Sequence, residues 1–94
     1  MTRGQVVFSK SGRDKGKTFI VINVHEEYLY LVDGKLRTLD RPKKKKAKHV
    51  QPTNVVAELK TDGRTLQDAD IRKHLKAFID EGGRAHCQKT MSLK

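Results

Sequence analysis

Gly4-Gln5-Val6-Val7-Phe8-Ser9-Lys10-Ser11-Gly12-Arg13-Asp14-Lys15-Gly16-Lys17-Thr18-Phe19-Ile20-Val21-Ile22-Asn23-Val24 is the stretch on which the reading of the fold turns. Two apolar runs, Val6 to Phe8 and Phe19 to Val24, enclose a polar segment. β-branched and aromatic residues bounded by Gly and Asp read as strands joined by a loop. In the first strand Val6 and Phe8 share one face, and Val7 and Ser9 share the other. The second is apolar on both faces, as a central strand is. Gly12 and Gly16 can take positive φ or let another backbone come close. Lys10, Arg13, Lys15 and Lys17 flank them, so the loop is both bent and cationic. Glycines and donors at one loop tip suit contact with a phosphate backbone.

Working outward, His25-Glu26-Glu27 is a polar connection and Tyr28 to Val32 a third strand. Asp33-Gly34 predicts a two-residue hairpin into a fourth strand, Lys35 to Leu39. Arg41-Pro42 ends that strand, because proline has no amide to donate. Lys43-Lys44-Lys45-Lys46-Ala47-Lys48 repels itself and reads as a solvated charge run, ordered only along a polyanion. His49 to Thr53 is expected to return as a fifth strand at a sheet edge, where Pro52 is tolerated. Short strands and tight turns in so small a chain predict a mainly β fold, a small SH3-like barrel.

The stretch from Gly4 to Val24 resembles the KOW motif of ribosomal proteins and of NusG-type transcription factors. The resemblance rests on Gly4, Val6 and Phe8, on Gly12-Arg13-Asp14-Lys15-Gly16-Lys17, and on the alternating strand to Val24. Gly16 stands where the family's hallmark glycine is expected. Leu31-Val32-Asp33-Gly34-Lys35-Leu36-Arg37 and the lysine run to His49 extend the likeness to small bacterial KOW proteins. These are related to archaeal and eukaryotic large-subunit ribosomal proteins, and the likeness covers roughly residues 3–55. It implies an SH3-like barrel and a partner in ribosomal or other structured RNA.

Beyond the barrel, Val55 to Leu59 could be helical or extended, and Asp62-Gly63 marks a turn. Ile71, Leu75, Phe78 and Ile79 follow the i, i+4, i+7, i+8 spacing of an amphipathic helix, expected over about 68–81. Thr65 or Asp68 would cap it, Asp68 and Asp70 suit its positive end, and Gly82-Gly83 would stop it. The expected organisation is a barrel over 1–55 with its basic tract at 41–48, an extension over 56–83, and a disordered tail over 84–94.

A net charge of +10 in 94 residues makes a polyanion the expected partner. The charge is uneven: residues 1–50 hold 13 Lys and Arg against 5 Asp and Glu, and residues 51–94 hold 8 against 6. The expected RNA contacts are therefore in the barrel half: Lys10, Gly12, Arg13, Lys15, Gly16, Lys17, Lys35, Arg37, Arg41, Lys43, Lys44, Lys45, Lys46 and Lys48. Such contacts fix position more than they read sequence, and they depend strongly on salt. Tyr28 and Tyr30 share a strand face; they either stack on unpaired bases or pack on the helix. The helix half reads as packing material or as a surface for a protein partner. The alternative function is accordingly a KOW-type adaptor in transcription or translation; DNA binding would differ by indifference to the 2′-hydroxyl.

Catalysis finds no support. His25, His49, His74 and the adjacent His86-Cys87 lack zinc-site spacing, so no metal or other cofactor is expected. Gly12 to Thr18 is one residue short of a Walker loop and runs into a strand rather than a helix. The single cysteine cannot form an internal disulfide, and no apolar run is long enough to span a bilayer. The expectation is a cytoplasmic protein, monomeric when free, without a membrane partner.

Overall fold

The computed structural model describes residues 1–10, 12–59 and 65–80. The turn expected at Asp62-Gly63, the helix stop at Gly82-Gly83 and the tail over 84–94 lie outside them. The strands are β1 (Gln5–Ser9), β2 (Thr18–His25), β3 (Tyr28–Val32), β4 (Lys43–Lys46) and β5 (Val50–Val56), followed by helix α1 (Asp68–Asp80). They form one antiparallel sheet in the order β4-β3-β2-β1-β5. The class is mainly β with a C-terminal helix, and it fits an SH3-like fold.

The sheet curls without closing. A single 3₁₀ turn, Ala47–His49, joins β4 at one edge to β5 at the other. At about 2 Å rise per residue it covers far less than the roughly 19 Å between the edges of a flat five-stranded sheet. The edges must therefore lie near each other, yet no ladder pairs β4 with β5. The expected barrel is thus an open one. Its inner core holds Val7, Phe19, Val21, Leu29, Leu31 and Val50, drawing β3 and β5 together around the curl.

The other face carries the helix. Val6, Ile20 and Val32 pack against Ile71, Leu75 and Phe78, and the Phe8 and Phe78 rings meet at 6.0 Å. The helix begins as charge and capping dictate, although neither Thr65 nor Asp68 serves as the cap. Gln67 takes that place: its carbonyl accepts from the Asp70 amide, while Asp70 Oδ2 accepts from the Gln67 amide at 2.9 Å. Asp68 instead accepts from the Leu39 amide at 2.7 Å, tying the β3–β4 connection to the helix. Ile79, read as part of the apolar stripe, is 54% exposed at its margin.

Two readings of the central region are corrected. Lys35 to Leu39 is not a strand. Asp33 Oδ1 accepts from the amides of Lys35 and Arg37, and the Asp33 and Gly34 amides donate to the Arg37 carbonyl. This carboxylate closes a tight local turn before a hairpin can extend. The fourth strand is the lysine run itself, paired with β3 through Tyr28–Lys46, Leu29–Lys45, Tyr30–Lys44 and Leu31–Lys43. Backbone pairing to a regular neighbour needs no particular side chain, and lysines belong at an exposed edge.

β5 runs along the other edge with Pro52 opposite Val7, and it extends to Val56, so Val55 and Val56 are extended rather than helical. Buried Thr53 donates to the Val6 carbonyl at 2.7 Å, which pins β5 to β1 beside a register shift.

Candidate nucleic-acid interface

The loop between β1 and β2 is held at its base and open at its tip. The Ser9 amide donates to the Lys17 carbonyl, and the Gly16 amide donates to the Ser9 carbonyl. Gly12 and Gly16 both have positive φ, 75° and 87°, and Gly12–Asp14 forms one 3₁₀ turn. Lys10, Arg13, Lys15 and Lys17 are exposed around it. The glycines therefore do what their spacing predicts and turn the chain, with Gly12 exposed at the tip and Gly16 half-buried at the base.

β4 places its lysines on two sides. Opposite residues of an antiparallel pair share a face, so Lys43 and Lys45 lie on the side of Leu31 and Leu29, toward the inner core. Both side chains are half-buried there. Lys45 Nζ comes within 3.8 Å of the point where a Cβ on Gly12 would stand. The curl of the sheet thus brings the lysine strand against the glycine loop, although about thirty residues separate them in sequence.

Lys44 and Lys46 lie on the opposite side, with Tyr30 and Tyr28. Lys44 Nζ sits over the Tyr28 ring, 4.4 Å from its centroid, and Lys46 Nζ is 5.9 Å away. Lys46 also pairs with Glu27 at 3.7 Å. Both tyrosines are half-buried. Tyr28 is therefore not an open stacking platform; its ring holds a lysine against the sheet through a cation–π contact.

The remaining residues of the set are spread around this seam. Lys48 is exposed in the 3₁₀ turn after β4, whose end is fixed by the Lys10 amide donating to the His49 carbonyl at 2.9 Å. Arg41 is exposed and Arg37 half-buried in the β3–β4 connection. Lys35 is exposed in the Asp33–Arg37 turn, on the side of α1 rather than of Lys45. The structure therefore joins the loop to β4 and sets Lys35 apart. The register of tyrosines with lysines was missed in the sequence, although an i, i+2 pattern of Tyr beside an i, i+2 pattern of Lys was its available signal.

No group of three or more His, Cys, Asp or Glu that could hold a metal occurs among the described residues, and none of their helices is long and apolar enough to cross a membrane. No protein-family model matches the chain, and no curated protein matches it.

Proposed function

We propose that this chain is a KOW-type RNA-binding protein that takes ribosomal or other structured RNA along the seam between the Gly12–Lys17 loop and β4. It would act in the cytoplasm, as a ribosomal-type protein or a ribosome-associated factor, without catalysis. The observation that carries the reading is the meeting of Gly12 with Lys45. Two cationic segments become one surface, with an uncovered backbone at its centre. Glycine lets a phosphate approach the backbone, while lysines around it displace counterions. Lysines on an edge strand also block edge-to-edge pairing, but that role alone does not require the charged loop beside them.

The test is binding of the full chain to purified ribosomal RNA across a salt series, with DNA of matching sequence as competitor. Affinity should fall steeply with salt, and RNA should outcompete DNA if 2′-hydroxyls are contacted. Arg13→Gln with Lys15→Gln, both in an exposed loop, should weaken binding about tenfold and reduce the log–log salt slope by roughly 1.5. Absence of binding at low salt, together with sedimentation of the protein free of ribosomal particles, would sink the proposal. A protein captured by a surface that the loop variants leave intact would favour the adaptor instead.

A further inference from the structure

The helix half carries only a small net charge in sequence, yet its cations are not scattered. A groove of about 960 Å³ runs between α1 and the start of β2 with the Asp33–Arg37 turn. Lys17, Lys35, Arg72, Lys73 and Lys76 all line it. Its two acids are already engaged: Asp80 pairs with Lys76 at 3.0 Å, and Asp33 Oδ1 accepts two backbone amides. Arg72 donates to the Gly34 carbonyl at 2.6 Å, which positions the guanidinium without neutralising it. Among the described residues, no carboxylate pairs with Lys35, Arg72 or Lys73.

We infer that this groove continues the RNA path, taking the sugar–phosphate backbone of the same RNA from the Gly12–Lys17 loop onto the helix. The inference rests on the RNA-binding reading above. Continuity carries it: Lys17 belongs to the loop and also lines the groove. Arg72 and Lys76 stand one helical turn apart, ~6 Å along the axis, a spacing similar to that of successive phosphates on a strand. Leu75 and exposed Ile79 provide an apolar lining beneath the charges, suited to the less polar faces of ribose and base. An acidic peptide would satisfy the same charges, but nothing would then require the groove to open onto the glycine loop.

Two variants of the full chain test it, each checked for an unchanged fold by circular dichroism. Lys35→Gln with Lys73→Gln removes two charges that hold no ion pair among the described residues. Ala69→Glu adds a negative charge to the groove wall, in the first turn of α1, where an acidic side chain favours the helix. The probe is a fluorescent RNA hairpin with a single-stranded extension, with polyglutamate as the acidic-peptide control. The double variant should lower the log–log salt slope by roughly 1.5 and the affinity about tenfold, and Ala69→Glu should also weaken binding. If RNA binding and slope stay at wild-type values while Arg13→Gln with Lys15→Gln reduces both, the groove inference is overturned and the RNA reading survives. Loss of polyglutamate binding without loss of RNA binding overturns it in favour of a peptide. A wild-type chain that does not bind the hairpin at all removes the RNA reading and this inference together.

Discussion

At the residue scale, the glycines separate structural need from open surface. Gly34 has φ +79°, and a Cβ there would stand 2.7 Å from both Arg72 Cγ and the Asp68 carbonyl oxygen. Left-handed backbone alone costs a residue with a side chain about 1–2 kcal/mol, and overpacking against a helix adds about 1–3 kcal/mol. Gly12 has a similar φ of +75°, but its nearest neighbour is the flexible Lys45 end at 3.8 Å. Gly34→Ala should therefore cost about 2–5 kcal/mol in urea denaturation and Gly12→Ala only about 1–2 kcal/mol. Equal losses would mean that α1 does not rest on the Asp33–Arg37 turn. For RNA binding the order should reverse, because the added methyl on Gly12 covers backbone at the seam.

At the element scale, β4 is the strand that sequence patterning cannot find. β1, β2 and β3 are runs of β-branched, aromatic and leucine residues bounded by turn residues, β5 opens on Val50 with Pro52 marking an edge, and α1 carries its 3.6-residue apolar stripe, so each is legible by itself. Four lysines have no such signature. They are extended because β3 offers a regular edge, and their side chains are received by a tyrosine ring, a glutamate and the barrel seam. Asp33-Gly34 misled for a related reason: its carboxylate bonds the amides of Lys35 and Arg37 and spends the chain on a turn. Tyr28 tests this account of β4. Tyr28→Phe keeps the ring beneath Lys44 and should be nearly neutral, whereas Tyr28→Leu should lose about 0.5–1 kcal/mol. Hydrogen exchange should then quicken at β3–β4 amides before any others. Uniform acceleration across the sheet would indicate that the contact holds no particular strand.

At the scale of the whole molecule, the charge that the proposed RNA binding would use works against folding. The sequence made both cationic segments of the candidate site visible, but not their meeting, which depends on a sheet curled tightly enough for three residues to join its edges. Nor did it show Arg72, Lys73 and Lys76 beside Lys17 and Lys35, because Asp68, Asp70 and Asp80 offset their charge in any count along the helix. A chain of net charge +10 repels itself most in its compact state. Raising salt from about 0.01 M to about 1 M shortens the screening length from about 30 Å to about 3 Å. The sign follows: screening removes repulsion from the folded state, so thermal stability should rise by a few degrees with added salt. Exposed ion pairs such as Lys46–Glu27 and Lys76–Asp80 weaken over the same range, but each contributes at most about 1 kcal/mol. On the proposed function, RNA affinity should move the other way, falling as counterion release loses its advantage. Thermal melts and RNA titrations over one salt series therefore read the same lysines with opposite signs. A melting temperature that falls with salt would mean that ion pairs outweigh repulsion and that the cations are structural. A rising melting temperature with falling RNA affinity is the result expected of a fold that tolerates its charge for the sake of a polyanion.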